Sequence, residues 1–213
     1  MSLKINEIFY SIQGESTYSG MPCVFVRLTY CNLRCSYCDT EYAFYEGSNF
    51  TVEQILEKVS KYGCELVEVT GGEPLMQNES IDLMSKLLTN GYKVLLETGG
   101  SLPINKVPKE VVKIVDFKTP GSLMSKKNLW TIIEDLQPWD EIKFVITNKD
   151  DYLWAKKKII DLNLTNSWTV LLSPTHGTLE LGKLSKWVLK DKLKVKVQVQ
   201  LHKYIWHPDK KGV

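Results

Sequence analysis

The chain has 213 residues, of which 43% are hydrophobic and 24% are charged, a composition typical of globular domains rather than disordered or fibrous proteins. Its 27 lysines and arginines nearly balance 25 acidic residues, giving a formal net charge of +2. This balance provides no overall basic excess for direct binding to nucleic acid. The sequence shows neither a membrane-spanning apolar segment nor an export signal, so we expect a cytoplasmic protein.

Segments with strand and helix patterns alternate from residue 23 onward. The β-branched and aromatic content of residues 23–29 predicts a strand with Phe25, Arg27 and Thr29 on one face. Apolar residues then recur at helical spacing between residues 51 and 62, with Thr51 as the N-cap. Further strands are predicted at residues 65–70, 92–97, 113–117, 141–147, 168–173 and 194–200, and further helices at 81–88, 129–136, 152–162 and 181–189.

This alternation predicts an α/β fold with a mostly parallel sheet and crossover helices. Six or seven strand–helix units fit into the chain, fewer than a closed eight-unit barrel needs, so we expect a partial, trimmed TIM-like barrel. No linker or repeat divides the chain, and we expect one domain over residues 1–213. Polar residues follow several predicted strands, where parallel α/β folds bind ligands. Turns and helix caps explain any one of them, but their recurrence favours a shared site.

Three of the five cysteines, Cys31, Cys35 and Cys38, lie within eight residues, directly after the first predicted strand. In a reducing compartment, such crowding indicates a metal or catalytic site rather than a disulfide framework. A structural zinc ion usually takes four protein ligands in two close pairs, and the sequence has no second such pair. A 4Fe-4S cluster takes one thiolate per iron, so three thiolates leave one iron open. Cys23 and Cys64 are possible fourth ligands, but small buried residues explain both better.

Two motifs resemble those of the radical S-adenosylmethionine (SAM) superfamily. The first is the cysteine triplet, with Tyr37 before the last cysteine, and the second is the segment TGGEP at residues 70–74. The resemblance implies that Cys31, Cys35 and Cys38 hold a 4Fe-4S cluster whose open iron binds SAM. Paired glycines allow backbone to approach a ligand closely, and Glu73 offers a carboxylate to the cofactor's amino group. Alone, this segment would be an ordinary turn with a solvated carboxylate.

More extensive similarity covers nearly the whole chain. Residues 9–15 (FYSIQGE), 25–28 (FVRL) and 200–203 (QLHK) resemble the 7-carboxy-7-deazaguanine synthase family, as do residues 38–40, 71–77 and 97–99. The resemblance implies a homodimer that converts 6-carboxy-5,6,7,8-tetrahydropterin to 7-carboxy-7-deazaguanine, with loss of ammonia, in queuosine biosynthesis. A radical derived from SAM would take hydrogen from the carbon that carries the carboxylate. An external one-electron reductant such as flavodoxin is also implied.

The same resemblance assigns roles to individual residues. The implied substrate contacts are Ile12, Gln13, Gly14, Glu15, Arg27, Thr70 and His202. The implied SAM contacts are Ser36, Tyr37, Asp39, Gly72, Glu73, Asp116, Phe117, Lys118, Ser173, Pro174, Thr175 and His176. Thr40 is the implied Mg²⁺ ligand, with water and substrate oxygens completing the coordination shell. The guanidinium of Arg27 suits a carboxylate because it binds both oxygens at once.

Two other hypotheses stay open at this point. A glycyl-radical activase also carries a cysteine triplet and a similar glycine turn, but it would act on a protein. The segment 11–15 and Arg27 disfavour it, since these groups suit a pocket for a small anion. The second hypothesis is a non-enzymatic zinc- or cluster-binding module. The colour of anaerobically purified protein separates the two metals, because an iron–sulfur protein is brown and a zinc protein is colourless.

Overall fold

Nine strands and five helices form the computed structural model, which describes residues 2–213. The strands are β1 (Ser2–Ile12), β2 (Pro22–Leu28), β3 (Ser48–Thr51), β4 (Leu66–Gly71), β5 (Lys93–Thr98), β6 (Val112–Asp116), β7 (Glu141–Ile146), β8 (Thr169–Pro174) and β9 (Lys196–Val197). The helices are α1 (Val52–Ser60), α2 (Ser80–Thr89), α3 (Lys149–Asp161), α4 (Leu181–Asp191) and α5 (His202–Ile205). None of the helices in this part of the chain is long and apolar enough to span a membrane.

All nine strands belong to one sheet, in the order β3-β1-β2-β4-β5-β6-β7-β8-β9. Strand β2 and strands β4 to β9 pair in parallel, whereas β1 pairs antiparallel with both β2 and β3. The order ends at β3 on one side and β9 on the other, so the sheet is not closed. The predicted α/β fold with a partial barrel is therefore confirmed.

Three segments differ from the sequence-based predictions. Strands β1 and β3 were not predicted, and together they extend the parallel sheet at the β2 edge. Residues 129–136 were predicted as an α-helix, but they form a 3-10 helix at Trp130–Asp135. Pro138 disfavours helical backbone at the residue before it, which explains why the helical segment does not extend further. Residues 194–200 contribute only the two-residue edge strand β9, which pairs with β8 alone.

The two faces of β2 meet different surroundings, as its alternation predicts. Val24 and Val26 belong to the main core, which includes Ile55 and Val59 of helix α1. Phe25 packs in a smaller apolar cluster with Phe9 on the opposite face of the sheet, and both rings line a cavity there. Arg27 lines the same cavity. The inner face of the sheet therefore has an apolar base and becomes polar toward the carboxyl ends of its strands.

Candidate active site

A cavity of ≈ 820 Å³ opens at the carboxyl ends of the parallel strands. Most of the residues that the sequence singled out line it: Ile12, Gln13, Gly14, Glu15, Arg27, Cys31, Cys35, Ser36, Tyr37, Cys38, Asp39, Thr40, Thr70, Gly72, Asp116, Lys118, Thr175, His176 and His202. Four others, Glu73, Phe117, Ser173 and Pro174, do not line its wall. Segments that are distant in the sequence therefore converge on one site.

The cysteine loop, residues 31–38, begins directly after the end of β2. Tyr30 takes a left-handed conformation with φ of 80°, which turns the chain out of the strand. The backbone N–H of Cys38 donates to the carbonyl of Cys35 at 3.2 Å, and the N–H of Leu33 donates to Cys31 Sγ at 3.4 Å. All three thiols are free and their residues partly buried. The loop thus presents three sulfurs toward the cavity with part of its backbone already hydrogen-bonded.

Burial raises the pKa of the Cys31 thiol, and it raises the pKa of Cys35 to about 11. The ammonium group of Lys118 opposes this effect at both thiols. These two thiols are therefore protonated at neutral pH without a metal, and metal binding must displace their protons. Cys23 is fully buried and lies outside the cavity, as does Cys64. Both positions support the prediction that these two cysteines are structural.

Within residues 2–213, no group of three His, Cys, Asp or Glu side chains is arranged to hold a single metal ion. A zinc ion needs its ligands to converge on one point. An iron–sulfur cluster instead spreads its thiolates over several irons, so its ligands need not converge. This finding is compatible with the cluster that the sequence predicts.

The glycine turn after β4 packs directly against the start of the cysteine loop. A Cβ atom on Gly72 would lie 2.2 Å from the carbonyl oxygen of Tyr30 and 2.8 Å from Cys31 Cβ, so no side chain fits there. The N–H of Glu73 donates to the same Tyr30 carbonyl at 2.7 Å. Gly72 is thus required for the contact between this turn and the start of the cysteine loop, whether or not a ligand also approaches it.

Glu73 is fully buried beneath this turn. Its carboxylate accepts hydrogen bonds from the Thr98 hydroxyl at 2.9 Å, from the Gly99 N–H at 2.7 Å and from the Leu75 N–H at 3.1 Å. Burial raises the pKa of Glu73, although these donors oppose the increase. In this structure Glu73 joins the turns that follow β4 and β5, and its contact with the amino group of SAM stays a prediction.

Two buried polar atoms of residues in the cavity wall, Tyr37 OH and Asp116 Oδ1, have no hydrogen-bond partner in the described chain, and neither has Ser173 Oγ, which lies outside the wall. Such atoms are costly unless a ligand or water satisfies them. All three residues belong to the predicted SAM contacts, and the two that line the cavity make its chemistry fit a polar cofactor. Asp116 uses its other oxygen, Oδ2, to pair with Lys118 Nζ at 2.8 Å.

Two other predicted SAM contacts, Phe117 and Pro174, lie outside the cavity wall. The side chain of Phe117 is fully buried and stacks on Trp130 with ring centroids 4.4 Å apart. Pro174 is the last residue of β8 and is also buried. Their side chains therefore do not contact a ligand in the cavity, which leaves only backbone contacts for the roles that the resemblance assigned to them.

Arg27 is held by a residue that the sequence analysis did not identify. Its Nε lies 2.7 Å from Glu7 Oε1, and the hydroxyl of Tyr42 donates to the same oxygen at 2.8 Å. Despite burial, the negative charges around it raise the pKa of Arg27, so the guanidinium stays charged. With Nε paired to Glu7, the terminal nitrogens of Arg27 are left for a ligand, and their contact with a carboxylate stays a prediction.

A second group of charged residues lies on the inner face of the sheet, and we call Glu15, Glu68, Glu97 and Lys143 the carboxylate cluster. Lys143 Nζ lies 2.7 Å from Glu15 Oε2 and also contacts Glu97. Gln13 Nε2 donates a hydrogen bond to Glu68 Oε2. Only Glu15 was among the predicted site residues. The sequence does carry a signal for the others, namely charged residues inside largely apolar strands.

Segments from the N-terminal and C-terminal parts of the chain meet at the entrance of the cavity. His202 packs against the N-terminal loop, where a Cβ on Gly14 would lie 2.1 Å from His202 Nδ1. Lys203 Nζ pairs with Asp39 Oδ2 at 2.6 Å. Thr40 Oγ1 lies 3.4 Å from Asp39 Oδ1 and 3.9 Å from Cys38 Sγ, at the cysteine-loop side of the cavity. Residues 208–213 also line the entrance.

Comparisons with known proteins agree with this site. Residues 26–116, which include both motifs, match the model of the Radical SAM superfamily. A 7-carboxy-7-deazaguanine synthase from Chlorobaculum tepidum is 44% identical over 214 residues, covering 99% of this chain and 97% of that protein. Another from Koribacter versatilis is 43% identical over 226 residues, covering 99% of this chain and all of that protein (100%).

Solved structures show the same fold. QueE from Escherichia coli superimposes with a TM-score of 0.78 at 22% identity, and the match covers 95% of each chain. SuiB from Streptococcus suis bound to S-adenosylmethionine gives a TM-score of 0.56 at 15% identity, over 80% of this chain and 48% of that one. The similarity to the two synthases extends over nearly the whole sequence. This chain therefore belongs to the 7-carboxy-7-deazaguanine synthase family of the radical SAM superfamily.

Proposed function

We propose that this chain converts 6-carboxy-5,6,7,8-tetrahydropterin to 7-carboxy-7-deazaguanine, with loss of ammonia, in queuosine biosynthesis. The observation that carries the proposal is a single cavity whose wall contains the cysteine loop and also the polar groups Arg27, Glu15 and Thr70. A radical enzyme needs its cofactor and its substrate side by side in a site that excludes water. The relatives of this chain that are named for this product support the same conclusion.

As a radical SAM protein, the chain uses a 4Fe-4S cluster and SAM, which together supply the radical that takes hydrogen from the substrate. Cys31, Cys35 and Cys38 are the residues that would hold the cluster. The unpartnered polar atoms of Tyr37 and Asp116, both in the cavity wall, support binding of SAM beside them. Gly72 supports it too, because the turn that it allows forms part of the cavity wall.

Substrate recognition follows from the charges around the rest of the cavity. Arg27 binds the carboxylate of the pterin through its terminal nitrogens, since Glu7 orients the guanidinium through Nε. Glu15 accepts N–H groups of the ring, because its contact with Lys143 outweighs burial and lowers its pKa. His202, at the entrance, lies against the loop that contains Gly14. These contacts would fix which carbon faces the cofactor.

Thr40 would bind Mg²⁺ through its hydroxyl, with water and a substrate carboxylate completing the shell. The position of its hydroxyl in the cavity wall, beside Cys38 and Asp39, supports this role. Removing Mg²⁺ with a chelator is expected to lower turnover without changing the visible spectrum of the cluster. Thr40→Ser should keep the response to Mg²⁺ and Thr40→Ala should lose it. Equal turnover with and without Mg²⁺ would contradict this assignment.

The proposal also covers domain organisation, partners and cellular location. One sheet that includes strands from residue 2 to residue 197 supports a single domain. The near-neutral net charge supports a small-molecule substrate without direct contact to nucleic acid. A cytoplasmic homodimer that receives single electrons from a carrier such as flavodoxin is the arrangement that the family resemblance implies.

The function is tested by supplying the substrate to the reconstituted enzyme. Anaerobic protein with SAM, 6-carboxy-5,6,7,8-tetrahydropterin and dithionite should form 7-carboxy-7-deazaguanine, detected by mass spectrometry. Cys35→Ala should abolish product because it removes a cluster thiolate. Cys64→Ala is the matched control and should keep activity, since Cys64 lies outside the cavity. If no product forms while a partner protein acquires a glycyl radical, the activase hypothesis is correct instead.

A further inference from the structure

Glu68 is the member of the carboxylate cluster that has no cation of its own. It lies on β4, its side chain lines the cavity, and it is 4% exposed. Lys143 pairs with Glu15, Glu97 and Asp116 instead. In the part of the chain that the structure describes, Glu68 forms no ion pair. A buried carboxylate without a cation is unfavourable, so Glu68 must either find another partner or stay protonated.

The groups around Glu68 favour the protonated form. Glu97 faces it from the neighbouring strand β5 and Glu15 from the loop after β1. The Cys23 thiol on β2 also lies near Glu68, but burial raises the pKa of this thiol, so it is uncharged and adds no cation. The single cation, Lys143 on β7, is shared with the two other glutamates. Burial and the charge of Glu97 therefore raise the pKa of Glu68 to about 8, although the hydrogen bond from Gln13 opposes the increase.

The hydrogen bond from Gln13 determines which oxygen is free. Gln13 Nε2 donates to Glu68 Oε2, so this oxygen acts as an acceptor. Gln13 Oε1 is also occupied, because it accepts the N–H of Glu15 at 3.1 Å. Gln13 is 3% exposed, so its amide has little freedom to turn away. Glu68 Oε1 is then left to carry the proton, and it gives the cavity an O–H donor.

We propose that Glu68 contacts the substrate ring as a neutral carboxylic acid and donates its O–H to an acceptor atom of the heterocycle. The acceptor is a carbonyl oxygen or an unprotonated ring nitrogen, the groups that an ionised carboxylate would repel. Glu15 has the opposite role beside Lys143, since an ionised carboxylate can only accept hydrogen bonds. A carboxyl group kept neutral in an apolar site is an established way to provide such a donor. This inference rests on the proposed function, from which it takes the pterin as ligand.

The experiment measures binding without turnover. Anaerobic calorimetry would follow 6-carboxy-5,6,7,8-tetrahydropterin binding to the holoenzyme with cluster and SAM but no reductant, at pH 7 and pH 9. The variants are Glu68→Gln, whose amide still donates, and Glu68→Ala, which cannot. At pH 7, Glu68→Gln should bind within a factor of about two of the wild type. Glu68→Ala should bind roughly 5- to 10-fold more weakly, the usual effect of one lost hydrogen bond.

The pH dependence separates a donor from a merely structural residue. Because the acid is the binding form, wild-type affinity should fall as pH rises through the pKa of Glu68, by about tenfold at pH 9. Glu68→Gln should lack this decrease, since an amide does not titrate, and any titration of the pterin itself affects both proteins equally. Parallel pH profiles in the two proteins, or a Glu68→Gln affinity as low as that of Glu68→Ala, would overturn the proposal.

Measuring product formation as well as binding shows whether the role of Glu68 or the proposed reaction has failed. If the wild type yields 7-carboxy-7-deazaguanine with dithionite but its pH profile matches that of Glu68→Gln, only the role of Glu68 fails. If the pterin binds with the expected pH dependence but no deazaguanine forms, the proposed reaction fails and the role of Glu68 stands. Iron content and circular dichroism of each variant identify any loss of folding.

Discussion

Replacing Lys143 with methionine removes the ammonium group that Glu15 and Glu97 share, in a side chain of similar length. The residue is 3% exposed, and its Nζ lies 2.7 Å from Glu15 Oε2 and 3.6 Å from Asp116 Oδ2. At 2.7 Å and an effective dielectric constant of about 20, one such pair attracts by roughly 6 kcal/mol before desolvation. Breaking a buried ion pair from one side typically costs about 3–5 kcal/mol, and we expect Lys143→Met to lose this much stability at pH 8.

The loss should depend on pH in a defined direction. In the wild type, burial opposes ionisation of Glu15, but Lys143 outweighs it and lowers the pKa of Glu15. Without Lys143, burial is opposed only by the hydrogen bond from Gln200 and by His202, and we expect the pKa of Glu15 in the folded state to rise above its unfolded value. A carboxyl group with a raised pKa contributes stability at low pH and loses it as pH rises through the folded-state pKa. The deficit of Lys143→Met should therefore be smallest near pH 5 and largest near pH 8.

Urea unfolding at pH 5, 6.5 and 8, with equal cluster loading in both proteins, measures this deficit. Lys113→Met is the matched control, because Lys113 is also buried and its Nζ lies 3.1 Å from Asp140 Oδ2, outside the cavity. Both variants should lose stability, but only Lys143→Met should also lose turnover, on the order of 100-fold, because Glu15 and Glu97 move. A Lys143→Met deficit below about 1 kcal/mol at pH 8, or one that does not change with pH, would refute the reasoning.

Three further predictions follow from individual contacts. Gly72→Ala should lower the iron content after reconstitution, because its Cβ would lie 2.2 Å from the Tyr30 carbonyl oxygen; Gly182→Ala, in open space on α4, should not. Thr51→Ala should lower the free energy of unfolding by about 1 kcal/mol, measured with urea, without affecting turnover, because it removes the capping box of α1. Arg27→Lys should raise KM for the pterin by roughly tenfold while SAM cleavage continues, because an ammonium cannot pair with Glu7 and also bind a carboxylate at two points. An unchanged KM would contradict the role of Arg27.

The α/β fold, the open barrel and the cysteine site could be predicted from the sequence, because each depends on local patterns. Strand and helix periodicity extends over a few residues, and the spacing of Cys31, Cys35 and Cys38 lies within one loop. The N-cap at Thr51 was predictable for the same reason, since Thr51 and Gln54 satisfy each other within one turn. At residues 129–136 the pattern alone gave the wrong helix type, because apolar residues three positions apart suit a 3-10 helix as well as an α-helix.

Partnerships between distant residues were decided only by the tertiary structure. Gln13 meets Glu68 across 55 positions and Lys143 meets Glu15 across 128, and nothing in a single strand indicates which charge its side chain will face. Neighbouring strands likewise decide two other features. Glu73 is buried against Gly99, which follows β5, and Phe117 packs on Trp130 away from the cavity. A sequence pattern determines which side chains point inward, but the protonation of an inward carboxyl group depends on the sum of charges that the completed sheet brings around it.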